Sequence, residues 1–312
     1  MLIPSLLSSL VLLLACASPA ADDELPSLDQ LVNRATRFQQ GSAAEIPSGS
    51  VHGRFHLKWR KPDGTGFLTF NIERTYVREP ERMLTRRVDF AGQTDMSEAF
   101  DGQRSWVRNN KSGQSYVLDA DPLTFETDLD AMRQQLRIMR MIHDALSVRG
   151  LITGLSLPRV EGLAKLRPPY RNAIEGDDRE PDAYVVVGTR EDDLFEPDLS
   201  APPPLPGDPA PRMHLRLSFS VASGALLSME LTTMGRARPR AMQLWFANYG
   251  ANAQGLVVPQ GLKVLEDGVE VVSLGLATHA DGTAGLTLGA DYPDELFSLP
   301  GDAQGQNEDK HD

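Results

Sequence analysis

Cysteine is nearly missing from this sequence: Cys16 is the only one in 312 residues. That excludes an intrachain disulfide framework and any cysteine nucleophile further along the chain. Positive charge is also short, with 31 Lys and Arg against 43 Asp and Glu and a formal charge of −12. A general nucleic-acid binder needs a basic surface to displace counterions, so that partner class is excluded. Nor is there a general attraction to anionic lipid surfaces. Catalytic signatures are missing too. No G-x-S-x-G elbow, Walker A loop, H-E-x-x-H or G-x-G-x-x-G run occurs. His52 and His56 point to one side of a strand but share it with Arg54 and Lys58, which repel a cation. His143 lies at the apolar edge of a long helical pattern and reads as a boundary residue. The acidic run 191–196 lacks calcium-loop spacing. No catalytic residue, metal or cofactor is expected.

Residues 1–14 are apolar, too short to span a bilayer, and read as an export signal, although MLIPSLLSS lacks Lys and Arg. Leu13-Leu14-Ala15-Cys16 resembles the bacterial lipobox. Its use would diacylate Cys16 and hold the mature chain at the membrane. Ordinary signal cleavage near 17–21 would discard the thiol instead. Either way a bacterial envelope protein is expected, periplasmic or membrane-anchored. A polar spacer covers 17–26, one domain covers 27–300, and the polar tail 301–312 reads as disordered.

With 41% apolar and 24% charged residues the chain is globular. Ser27 and Gln30 have the spacing of a capping box and open a helix over 27–40. Strict alternation over 51–60 gives a strand with Val51, Phe55, Leu57 and Trp59 on its dry face. Pro62-Asp63-Gly64 turns it into 67–77, which carries Leu68, Phe70, Ile72 and Tyr76 on one face. Short strands follow at 83–90 (Leu84, Val88 and Phe90 against Arg87 and Asp89), 96–100, 105–108 and 115–118. The one long helical pattern is 123–148, with Leu129, Met132, Leu136, Met139 and Leu146 in one stripe. Asp121-Pro122 opens it and Gly150 closes it. Residues 151–166 are ambiguous and leave room for a second short helix. Residues 183–189 form a continuous apolar run, a strand buried on both sides. A Pro-rich loop covers 199–211. Further strands are expected at 213–221, 226–233, 242–249, 256–265, 269–276 and 284–288. The Arg82, Arg86, Arg87 and Arg236, Arg238, Arg240 runs read as solvated faces and turns, or as a site for an anionic group.

A dozen strands in one sheet tend to curl, and the helix at 123–148 is the candidate to fill the concavity. Phe55, Leu57, Trp59, Phe70 and Trp106 come from early strands, Met132, Leu136 and Met139 from the helix, Phe219 and Met229 from a later hairpin. Methionines and large apolar side chains repack cheaply around irregular apolar ligands. The same set would also serve as ordinary core.

The order of motifs narrows the class. Phe100-Asp101-Gly102 with Trp106 resembles the "FDG…W" hairpin of LolA/LolB-type lipoprotein-sorting proteins. Leu244-Trp245-Phe246 is followed by Gly255-Leu256-Val257-Val258-Pro259, similar to their "G…lP" turn. The close, from Tyr292 through Phe297 to Pro300, is similar to their terminal "F.lP". The resemblance covers about 27–300. It implies a mainly β (α+β) fold: a curved antiparallel sheet forming an unclosed half-barrel, with helices over the concave face. It implies a non-enzymatic binder of lipid or lipoprotein acyl chains; a scaffold or sensor of the same fold, holding an envelope protein partner, is the alternative. The chain departs from the family in its length and its Pro-rich loop. A lipidated Cys16 would make it an anchored acceptor or scaffold, not a soluble shuttle.

Overall fold

A computed structural model describes residues 25–61, 63–118, 126–167, 169, 182–190, 212–234 and 241–298, excluding the side chains at 126–131, 134 and 234. The leader with Cys16, Asp121-Pro122, the runs 191–196, 199–211 and 236–240, and the tail lie outside the described residues.

The first helix, α1 (Leu28–Gln40), starts where its cap is encoded. Ser27 Oγ accepts from the Gln30 amide and Gln30 Oε1 accepts from the Ser27 amide. Two donors that a helix start leaves orphaned are thereby bonded. Gly41 ends the helix at positive φ, and a Cβ there would meet the Gly255 carbonyl oxygen at 2.5 Å. Only glycine lets the helix end come that close.

Six strands follow: β1 (Ser50–Arg60), β2 (Phe67–Val77), β3 (Arg82–Asp89), β4 (Asp95–Phe100), β5 (Ser105–Asn109) and β6 (Ser115–Leu118). Then come α2 (Glu126–Ala145) and α3 (Val148–Thr153). The second half holds β7 (Ser156–Lys165), β8 (Asp182–Arg190), β9 (Arg212–Ser220), β10 (Leu226–Met234), β11 (Ala241–Ala251), β12 (Val257–Glu266), β13 (Val269–Leu276) and β14 (Leu286–Leu288). All fourteen share one sheet, ordered β6-β5-β4-β3-β2-β1-β13-β12-β11-β10-β9-β8-β7, with β14 on β1. Each strand pair is antiparallel, and among the described residues β6 and β7 end the order without pairing to each other, so the barrel is open.

Two contacts fix the curvature. β2 and β8 lie seven places apart in the order, about 34 Å in a flat sheet. Yet the Tyr76 ring of β2 lies 5.9 Å from the His143 ring, and Arg190 of β8 bonds Asp144, the next residue, at 2.7 Å. One helix can touch both strands only if the sheet wraps around it.

Three expectations need correction. The long helix stops at Ala145, not at Gly150. The Leu146 amide is shared between the Ile142 and His143 carbonyls and the Ser147 amide bonds Asp144 O, which tightens the last turn. Ser147 then leaves helical geometry, and Gly150 falls inside α3. On β3 the inward residues are Met83, Thr85 and Arg87, not Leu84 and Val88: register pairs Met83 with Tyr76 and Leu84 with Thr75. Arg82 is not solvated; it is buried and ion-paired to Asp294. The ambiguous stretch after α2 resolves into the end of α3 and strand β7. In β8 the consecutive Val185, Val186 and Val187 are all buried, as the unbroken apolar run required. No described helix is long and apolar enough to cross a membrane.

Candidate functional site: the filled concavity and the cleft at its rim

Alternation along β1 turns Val51, Phe55 and Leu57 inward, and register sets Tyr76, Ile72 and Phe70 of β2 opposite them. From above, α2 lowers Met132, Leu136, Met139 and Ile142 onto that face. These join Phe219 of β9 and Met229 of β10 in one buried cluster. Trp59 and Phe70 pack against it, partly exposed. Met139 is fully buried. The apolar gap left beneath the C-terminal half of α2, lined by Phe55, Ile142, Leu146 and Phe246, is about 30 Å³. That is the share of roughly one water molecule, against ~300–1,000 Å³ for small-ligand pockets.

Trp106 stands elsewhere. Register runs Trp106–Ala99–Leu84–Thr75–His52, the face opposite Tyr76 and Met83. Its Nε1 donates to the Phe297 carbonyl at 2.8 Å. Arg82 lies 4.8 Å from the ring centroid of the fully buried Phe297. Trp106 therefore straps the C-terminal segment to the convex face. Residue type alone groups Trp106 with Phe55, Trp59 and Phe70 of the early strands; register separates it from them.

Inside the concavity lies a polar network that sequence reasoning missed. Arg74 is buried, donates to Thr85 Oγ1 at 2.8 Å and also donates to Gln135 Oε1 of α2. Gln135 Nε2 donates to Glu98 at 3.1 Å, and Arg87 pairs with the other Glu98 oxygen at 2.8 Å. Arg87 also lies 5.0 Å above the Phe70 ring. Burial pushes the Arg74 pKa down to about 10; the Glu98 charge works against this and Arg87 adds to it. Among the described residues two guanidiniums share one carboxylate, Glu98. The only signal in the sequence was Gln135, a polar residue within the apolar stripe of α2.

Gln39 is a second residue the sequence did not flag. Its Nε2 donates to Ala145 O at 2.7 Å and its Oε1 accepts from the Val148 amide at 3.2 Å. One buried amide thus serves the end of α2 and the start of α3, joining both to α1.

Beyond α2, where the two halves of the sheet approach, a cleft of about 390 Å³ opens between the β2–β3 turn, the α2–α3 junction and the end of β8. Arg78, His143, Asp144, Ser147 and Arg190 line it. Burial opposes the charged form of Asp144. The imidazole 3.6 Å away, the Arg190 hydrogen bond and the charges of Arg190 and Arg78 nonetheless hold its carboxyl below the ordinary range. His143 Nδ1 is buried without a hydrogen-bond partner. Among the described residues no group of three or more His, Cys, Asp or Glu could hold a metal ion.

No family model and no curated protein matches this chain. Among solved structures, a LolA superfamily protein from Nitrosomonas europaea is 13% identical, covers 88% of this chain and 99% of its own, and gives a TM-score of 0.45. A putative outer membrane lipoprotein-sorting protein domain from Vibrio parahaemolyticus is 9% identical over 86% and 94%, at 0.41. A DUF1329 family protein from Desulfovibrio piger is 10% identical over 86% and 96%, at 0.42. Likeness of this degree assigns neither ligand nor partner to the chain. The architecture rests on its own strand order and register, and it is the unclosed, helix-covered barrel that the LolA/LolB resemblance implied.

Proposed function

We propose that this chain is an exported, non-enzymatic binding protein whose concave apolar face takes acyl chains of a lipid or lipoprotein. In this reading α2 occupies that face when no ligand is bound. The apolar leader and the Leu13 to Cys16 run support export, and membrane anchoring if Cys16 is acylated. The observation that carries the proposal is the burial of Met132, Leu136 and Met139 of one helix against strands from both halves of the sheet. Those side chains stand where acyl methylenes would stand. Each contributes about 2 kcal/mol by burial, and each acyl CH₂ about 0.8 kcal/mol. A chain must therefore bring about eight methylenes before it matches the three side chains it displaces. Glu98 has both oxygens engaged, so the buried polar network offers no free base for catalysis.

Hydrogen exchange across 132–146 tests this. Palmitate should speed exchange there and hexanoate should not. Unchanged exchange under both would contradict displacement of α2.

A second reading, a scaffold or sensor that holds an envelope protein partner without a ligand cavity, is favoured by one observation: the gap under α2 is only about 30 Å³.

A further inference from the structure

We propose that the cleft at the end of α2 is an oxyanion site, which takes the carboxylate or phosphate headgroup of the amphiphile whose acyl chain lies on the concave face. The source of the oxyanion rests on the function proposed above; the site rests on its own geometry. At about 390 Å³ the cleft has the size of a small-ligand pocket. Its donors outnumber what the protein uses. Arg78 is half-buried; its amide bonds Gly49 O and its guanidinium lies by the Tyr76 hydroxyl and the Asp144 charge, which leaves part of a five-donor fork for a ligand. His143 Nδ1 is buried, has no partner within hydrogen-bond distance and lies 3.6 Å from Asp144 Oδ1, so a ligand oxyanion would compete with that carboxylate for it.

Among the described residues the cleft's two carboxylates, Asp144 and Glu79, stand against Arg78 and Arg190. Asp144 bonds Arg190 through Oδ2 at 2.7 Å and its other oxygen faces His143, so Arg190 takes up much of its charge. Glu79 also lines the cleft but is exposed. Arg140, one turn before Asp144, is held by Glu81, which also accepts from the Tyr76 hydroxyl. The floor includes Leu151, a member of the main apolar cluster. Tyr76 and His143, in ring contact, stand between the headgroup cleft and the chain face, so the two are neighbours across one layer of side chains. An amphiphile can lay its chain under α2 and leave its charge at Arg78.

The test compares laurate, its neutral counterpart dodecanol and inorganic phosphate, titrated calorimetrically into the purified full chain. Laurate should bind about tenfold or more tightly than dodecanol, the worth of one charge-assisted hydrogen bond. Arg78→Gln should bring laurate to the level of dodecanol, and Arg78→Lys, which keeps the charge but not the fork, should fall between. The imidazole nitrogen signals of His143 in the unmutated protein should shift on laurate binding, a readout that needs no variant to fold. If neither laurate nor dodecanol binds, the acyl reading fails. Phosphate binding that is lost in Arg78→Gln would then still uphold the cleft as a site for a free oxyanion. Equal binding of laurate and dodecanol, or phosphate and laurate binding unaffected at both Arg78 and His143, would overturn the proposal.

Discussion

Glu98 sits between Arg74 and Arg87 and is, among the described residues, the carboxylate their network holds. Glu98→Gln keeps the shape and removes the charge, which leaves two guanidiniums uncompensated in the interior. Breaking a buried pair in this way costs about 3 kcal/mol or more; urea unfolding should show it as a lower midpoint with an unchanged slope. Asp144 makes a pH-dependent contribution. Its folded carboxyl titrates below its ordinary value, so the stability it adds is fully present above the unfolded pKa of about 3.9 and fades as pH falls through the folded value. Asp144→Asn should therefore destabilise the protein at pH 7, and the difference in melting temperature from the parent should shrink below about pH 4. Neither role was legible in the sequence. Arg74, Arg87 and Glu98 look like solvated strand residues, because period-2 patterning assumes that charge faces water. Only the register shows that these three face inward.

Strands and helices were far more legible than the contacts between them. Ser27 with Gln30 encodes the start of α1, alternation encodes β1, and the Val run encodes a strand buried on both sides. The end of α2 had no such signal: the break at Ser147 follows from a tightened last turn and from Gln39 bonding across the junction. The inversion of β3 has a similar cause, since its outward Leu84 shares a face with Trp106, and that face is partly covered by the C-terminal segment. Trp106→Phe tests that strap. It removes the hydrogen bond to Phe297 O and should cost about 1 kcal/mol. Limited proteolysis near 290–298 should become faster while cleavage elsewhere keeps the parent's rate; an unchanged cleavage pattern would show that apolar packing of Phe297 alone holds the segment.

At the scale of the molecule, one sheet wraps around one helix, and the described interior is filled by that helix. The unclosed half-barrel was legible because the order of weak motifs implied it. The filling was not, because a stripe of Met and Leu reads the same whether it covers a ligand or replaces one. Native mass spectrometry of the protein purified from its own envelope without detergent tests the central claim most directly. The account predicts extra mass that organic solvent removes as lipid, or its appearance when long acyl chains are added. A clean protein mass that stays clean with added palmitate would contradict it and leave the partner-holding scaffold as the function of this fold.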